Sequence, residues 1–383
     1  MGNQRVVIVD LNHIAHTYYH SQHRLSITVV DRGARIPKDT TIQNGILKNL
    51  YKWSNGGSNP TAVCMDRPVP ARKAFFQKAF SDMKVGTSNE YKGDRVRMAP
   101  EMFEALSDIE RILNLSGVTV YAQEGYEADD LVYASIKYAK QKYEGMPIDV
   151  ITNDADLLPL VDDTVSVFLR SRKGTYAESE DIKKLHYVQV TPRNYEEVLK
   201  SLSAYKGFYI PYNCILLHKL LRGDLSDKFG RKDISREFSP KKWNAMIEKM
   251  EADGVPIESI FRYGEPQSKI MYRDSGLEFE GTMEDAVKSP NRSNLYQKIQ
   301  NTKELDAILD VLKGYTNLSE AQLHDIEQMY WGMNLNQVYP NADPMYSRRA
   351  FVCGTNDIPG IDTFSEVELQ KVASSLQINL IRY

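Results

Sequence analysis

The chain has 383 residues, of which 42% are hydrophobic and 26% charged, and a net charge of −3, enough for one large soluble domain or two ordinary ones. No apolar run approaches the roughly 18 residues of a membrane span, the first residues lack a signal-peptide layout, and Cys64, Cys214 and Cys353 show neither zinc spacing nor an obvious disulfide pairing. These features fit a protein of a reducing cytoplasm, and the overall charge does not advertise nucleic-acid binding.

In chain order, residues 5–10 read as a short buried strand in which Val6-Val7-Ile8-Val9 closes on Asp10. A helix follows at 41–54, then a strand at 61–66 in which Ala62-Val63-Cys64-Met65 closes on Asp66. Residues 67–98 interrupt the rhythm with a long segment of mixed polarity, and a loop of that length inside a compact domain is usually functional or disordered. Residues 67–97 hold eight Lys and Arg against three acids, with Phe75, Phe76, Phe80 and Tyr91 interleaved. Such a mixture suits single-stranded nucleic acid, cations tracking phosphates and rings stacking on bases; an amphipathic helix with a solvated basic face is the alternative.

Next come a helix at 99–114, a strand at 118–122 and a helix at 127–143 opened by Glu127-Ala128-Asp129-Asp130. A strand at 148–152 leads into Asp154-Ala155-Asp156; a strand at 165–169 and a helix at 194–205 follow. Leu221-Arg222-Gly223-Asp224-Leu225-Ser226-Asp227 adds a carboxylate pair beside a glycine turn. Strands alternating with helices imply an α/β fold, a mostly parallel central sheet with helices on both faces. After about residue 235 the pattern changes. Helices are predicted at 240–251, 294–313 and 318–330, joined by stretches rich in Pro, Gly, Asn and Ser, so the chain divides into a region 1–235 and a second, mainly helical region 236–383.

Carboxylates at strand ends converge at one edge of an α/β sheet, where ligands usually bind. Many negative charges share a cleft only when cations neutralise them. Oxygen-only ligation points to Mg²⁺ or Mn²⁺, and two such ions about 4 Å apart are the standard apparatus for phosphodiester hydrolysis. Glu127 and Asp130 share one face of the first helical turn, although acids also suit a helix N-terminus for structural reasons alone. Asp154 and Asp156 face the same side if the chain is extended there, although an Asp-x-Asp is more often a turn. His13 and His16 follow Asp10 closely enough to line the cleft, and a structural role is favoured over proton transfer.

Taken together, Asp10, Asp66, Glu127-Ala128-Asp129-Asp130, Asp154-Ala155-Asp156-Leu157-Leu158 and Gly223-Asp224-Leu225-Ser226-Asp227 resemble, in order and spacing, the motifs of the structure-specific 5′-nucleases. That family includes flap endonucleases, the 5′→3′ exonuclease domain of bacterial DNA polymerase I and phage enzymes of the ribonuclease H type. The resemblance covers about residues 5–230 and implies a PIN-like 5′-nuclease fold. It also implies a two-ion site of Mg²⁺ or Mn²⁺ held by Asp10, Asp66, Glu127, Asp129, Asp130, Asp154 and Asp156, with Asp224 and Asp227 completing it.

Tyr91-Lys92-Gly93-Asp94-Arg95 resembles the family's Tyr-Lys-x-x-Arg, which lies in a helical arch over the active site, here about 67–98. The resemblance places Lys92 and Arg95 beside the scissile phosphate, Tyr91 on a terminal base, and Arg72, Lys73, Lys78 and Lys84 along the strand. Arg222, Lys228, Arg231 and Lys232 would meet duplex from a degenerate helix-turn-helix-like element at about 214–242.

The chain departs from the pattern in places. Ala155 and Pro159 stand where Lys and Gln are frequent, Lys228 replaces the usual Asn, and Phe229-Gly230-Arg231-Lys232-Asp233-Ile234-Ser235 replaces the Gly-Ile-Gly turn that holds a monovalent cation. The implied activity is hydrolysis of DNA, or of RNA in RNA–DNA hybrids, near 5′ ends, flaps or nicks, serving replication and primer removal. The implied setting is the cytoplasm of a bacterial or phage-infected cell, with replication proteins as expected partners of the C-terminal region and no membrane. The compact C-terminal extension and the departures favour a phage-type member. Two rivals are a PIN-type ribonuclease, which lacks the arch and the Gly-Asp-x-Ser-Asp element, and an inactive relative that binds branched DNA.

Overall fold

A computed structural model describes residues 4–20, 26–31, 34–55, 58–66, 98–115, 120–122, 126–170, 187–223, 230–257, 269–274, 277–281, 295–298 and 303–333. Residues 67–97, which hold the expected arch and its basic residues, lie outside them, as do residues 224–229 and everything after 333. No described helix is long and apolar enough to cross a membrane.

The chain opens with β1 (Val6–Asp10), α1 (Leu11–Tyr19), a hairpin of β2 (Ser26–Asp31) and β3 (Ala34–Asp39), α2 (Thr41–Trp53) and β4 (Thr61–Cys64). It continues with α3 (Pro100–Leu115), β5 (Val120–Tyr121), α4 (Ala128–Lys142), β6 (Ile148–Thr152), a 3₁₀ turn (Ala155–Leu160), β7 (Val165–Arg170) and β8 (Tyr187–Val190). Six of these strands form one sheet in the order β5-β4-β1-β6-β7-β8. All neighbours run parallel except β7 and β8. The expected fold class is therefore the observed one, with an antiparallel edge strand added.

Alternation along the strands builds a core on each side of the sheet. Val6 and Ile8 of β1, with Ala62 and Cys64 of β4, enter one apolar cluster. Val7 and Val9, with Val63 and Met65, enter the other, which α1, α2 and α3 cover. Residues buried on both faces explain why these strands are continuous apolar runs.

The first cluster extends beyond the sheet. It takes in α4, α5 (Tyr195–Ser201), α6 (Ile215–Arg222) and α8 (Pro240–Ala252), with α7 (Lys232–Glu237) between them. It then continues through Ile308 and Leu312 of α9 (Lys303–Tyr315) and Leu323, Ile326, Met329 and Tyr330 of α10 (Glu320–Met333). The region after 235 is helical at these three places. It also contains a three-stranded antiparallel sheet, order β10-β9-β11, of β9 (Lys269–Asp274), β10 (Leu277–Gly281) and β11 (Leu295–Lys298). The expected helix at 294–313 accordingly begins only at Lys303.

Helix α8 shows how local chemistry docks an element on this core. Ser239 caps it, its Oγ accepting from the Lys242 N–H, and Pro240 stands in the first turn. One turn on, Trp243 is fully buried and its indole N–H donates to the Tyr209 carbonyl at 2.7 Å. The ring edges of Phe208 and His218 meet it at 6.3 and 5.1 Å between centroids. Trp243→Phe should cost about 1–3 kcal/mol for the stranded carbonyl and Trp243→Ala about 3–5 kcal/mol. Urea unfolding of the full chain checks both; equal stability of the two variants would contradict the hydrogen-bonded anchor.

Candidate active site

Strand β1 is the central strand of the parallel run β5-β4-β1-β6-β7 and carries Asp10 at its carboxyl end. Asp10 is level with Cys64 of β4, and Val9 is level with Ile151 of β6. Asp66 therefore leaves the sheet on one side of Asp10 and Asp154 on the other. Strand spacing of about 4.8 Å brings the three chain ends together. The sheet alone accounts for this convergence.

Asp10 is completely buried. One carboxylate oxygen accepts from the backbone N–H of His13 at 3.3 Å and starts α1; the other accepts from the Thr152 hydroxyl at 2.8 Å. Burial raises its pKa above the ordinary carboxylate value, and the charges of Asp66 and Asp154 raise it further, against the pull of His13 and Thr152. Thr152 does double duty, since its Oγ1 also accepts from the Asp154 N–H at 3.0 Å.

Asp66 is held by its backbone, whose N–H donates to Asn12 Oδ1 at 2.9 Å. Its own Oδ1 accepts from the Ala128 N–H at 2.6 Å, in the first turn of α4. That bond ties the Glu127-Ala128-Asp129-Asp130 segment to the sheet edge. Glu127 and Asp130 are buried, and Asp130 accepts from the Glu127 N–H at 3.1 Å. The structural reading of these acids as first-turn residues is thus realised alongside their place at the cleft.

Asp154 and Asp156 do not sit on an extended chain. Asp154 caps the 3₁₀ turn, accepting from the Asp156 N–H at 2.9 Å, so the two carboxylates diverge toward different cations. Asp154 Oδ2 lies 3.1 Å from His13 Nε2, whereas Asp156 pairs with Lys219 of α6. Burial opposes charge on His13, but Asp10, Asp154 and Asp129 outweigh it and push the imidazole up to about 11, so His13 is a cation here. Burial likewise opposes charge on Asp154, yet His13, Lys219 and the Asp156 N–H hold it below the usual carboxylate range. Among the described residues, no three His, Cys, Asp or Glu side chains are gathered closely enough to hold a metal ion in this arrangement. Several of their oxygens are engaged by internal cations and N–H donors instead.

Asp224, Asp227, Lys228, Tyr91, Lys92, Arg95, Arg72, Lys73, Lys78 and Lys84 fall outside the described residues. The base of the 224–229 segment is described: Gly223 and Gly230 both have positive φ (76° and 107°), and a Cβ on Gly230 would collide with Gly223 Cα. Only glycine tolerates that approach. Arg222 stacks over Phe208 at 5.2 Å and donates to the Ser235 carbonyl. Arg231 is held by Asp233, with Nε to Oδ1 at 2.9 Å, and by Asp325 of α10. Lys232 is exposed. Of the four basic residues expected to meet duplex, two thus serve as internal ties.

Sequence reasoning missed Thr152, Asn12 and Lys219. A lysine inside the apolar run Ile215-Leu216-Leu217-His218-Lys219-Leu220-Leu221 was the available signal for the last.

Residues 5–186 match the family described as 5′-3′ exonuclease, N-terminal resolvase-like domain. The chain is 28% identical to the thermostable DNA polymerase I of Thermus filiformis over 186 residues, 48% of this chain and 19% of that protein. It is 33% identical to DNA polymerase I of Bacillus subtilis over 99 residues, 26% of this chain and 11% of that protein. The chain thus spans a fifth or less of these relatives. A bacteriophage T5 flap endonuclease, solved with DNA and metal ions, aligns over 98% of this chain and 100% of its own at 14% identity, with a TM-score of 0.46. Residues 5–186, just under half of the chain, are thus a domain similar to the 5′-3′ exonuclease N-terminal family.

Proposed function

We propose that this chain is a divalent-metal-dependent 5′-nuclease that hydrolyses phosphodiester bonds of DNA, or of RNA in RNA–DNA hybrids, near 5′ ends or flap junctions. Its place would be replication and primer removal. The observation that carries the reading is the meeting of Asp10, Asp66 and Asp154 with the acidic first turn of α4 at the carboxyl edge of the sheet, with Asp10 fully buried. The 5′-3′ exonuclease family match over the same residues supports it.

The donor set suits a hard divalent ion. All its acids offer oxygen, and burial, together with the charges of Asp66 and Asp154, raises the Asp10 carboxyl above its ordinary value. Asp10, Asp66, Glu127, Asp129, Asp130, Asp154 and Asp156 would hold one ion or two, with Asp224 and Asp227 completing the second position. Such ions lower the pKa of bound water and stabilise charge on phosphate oxygens. The chain's own residues then orient and neutralise. Thr152 and the α1 N-terminus fix the Asp10 carboxylate, and Asn12 fixes the backbone of Asp66. Lys92 and Arg95, from the arch segment, would steady the scissile phosphate as charge develops. Tyr91 would stack on a terminal base.

The deciding assay uses end-labelled flap, nicked, single-stranded and RNA–DNA substrates, with Mg²⁺ or with chelator. Metal-dependent release of 5′ fragments from flap or nicked substrates supports the proposal. Cleavage confined to unstructured RNA would favour a PIN-type ribonuclease, and chelator-resistant binding without any cleavage an inactive binder.

Two substitutions locate the chemistry. Asp154→Asn should lower single-turnover cleavage by about two to three orders of magnitude while substrate binding holds or tightens, because a charge repelling phosphate is removed; near wild-type turnover in Mg²⁺ would remove Asp154 from the ligand set. Lys92→Ala should lower turnover far more than affinity, since affinity is spread over many cations. A loss of affinity with unchanged single-turnover cleavage would make Lys92 a tether.

A further inference from the structure

Lys219 stands mid-way along α6, and its side chain is only 6% exposed. A buried ammonium is costly unless it is paired. Its partner is Asp156, whose side chain is 29% exposed and which belongs to the acidic edge just described. The same ammonium also acts on Asp154. His13 approaches Asp154 at 3.1 Å, so each of the two acids following β6 meets a basic side chain supplied by the chain itself. Helix α6 ends at Gly223, immediately before Asp224.

We propose that Lys219 is a tethered counter-ion that occupies Asp156 in the metal-free protein and yields that carboxylate when a divalent ion is loaded. The inference rests on the metal-dependent reading above. Its physical content is a competition. Without metal, Lys219 relieves repulsion at the acidic edge and stabilises the fold. With metal, the same charge opposes the incoming cation, and the ion pair must open or share its oxygens. By linkage, whatever the pair adds to the metal-free state is lost from metal affinity. Metal-free folding and ready exchange of the ion would then be two consequences of one residue. Lys219 is a positioning residue in this account.

The test uses the full chain and Mn²⁺ alone as probe, with affinity read by calorimetry and melting read in chelator and in saturating Mn²⁺. Lys219→Met should bind Mn²⁺ at least about tenfold more tightly than wild type. It should melt lower in chelator, with the gap closing as Mn²⁺ saturates the site. Asp156→Asn should also melt lower in chelator, yet bind Mn²⁺ more weakly. The double variant should recover part of the metal-free stability that each single change loses, because removing both partners leaves no unpaired buried charge. Lys219→Gln carries the same expectation for affinity should the methionine variant not fold. Unchanged or weaker Mn²⁺ binding by a folded Lys219 variant overturns the proposal, as do additive losses in the double variant. If wild type binds no Mn²⁺, the metal reading fails and this inference with it. If wild type binds and Lys219→Met gains nothing, only the role of Lys219 fails.

Discussion

Placing several carboxylates at one end of a buried sheet is the constraint on which the rest of this structure depends. Asp10 has no solvent contact, and Asp66 and Asp154 leave neighbouring strands on either side of it. Like charges so arranged destabilise a fold unless something opposes them. Nearly every polar contact at this edge can be read as an answer. Thr152 and the His13 N–H bond Asp10, the first turn of α4 bonds Asp66, and His13 and Lys219 bring positive charge to Asp154 and Asp156. Asp149 near the opposite end of β6 is treated in the same way, paired with Arg5 at 2.7 Å.

The architecture makes this concentration of charge possible. Because β1, β4 and β6 are parallel neighbours, their carboxyl ends emerge together, and because both faces are covered, the strands are rigid apolar rods with polar residues confined to their tips. The helices do more than cover. The N-terminus of α4 meets Asp66, α1 starts on Asp10, and α6 delivers Lys219. The C-terminal helices enlarge the same apolar cluster, and Arg231 ties α7 to Asp325 of α10. Elements after residue 235 are therefore coupled physically to the helix behind the acidic edge.

The parallel sheet was legible because its strands are short runs rich in Val and Ile, and those of β1, β4 and β6 lead into Asp10, Asp66 and Asp154. Asp10, Asp66 and Asp154 could be placed at one edge for that reason. The hairpin β2–β3 and the sheet β9–β10–β11 were not foreseen. Their strands are short, of mixed polarity, and set among turn-forming residues, as in Lys269-Ile270-Met271-Tyr272-Arg273-Asp274 before Ser275-Gly276. Helix α1 was hidden because His13, His16, Tyr18 and Tyr19 blur its apolar face. Thr152, Asn12 and Lys219 were hidden because each acts through a partner remote in sequence. Lys219 lies 63 residues from Asp156, and no local periodicity encodes that meeting. Of the two readings of Asp154-Ala155-Asp156 the turn is the one realised, because the N-capping bond to Asp156 that closes it is a local alternative to strand geometry.

The central claim is that these carboxylates form one divalent-cation site. Anomalous diffraction at the manganese edge, from crystals of the full chain grown with Mn²⁺, tests it most directly. The account predicts a strong peak among the carboxylates of Asp10, Asp66 and Asp154, lost when the crystals are washed in chelator. A folded chain at saturating Mn²⁺ with no peak at this edge, or with peaks only elsewhere, would contradict it.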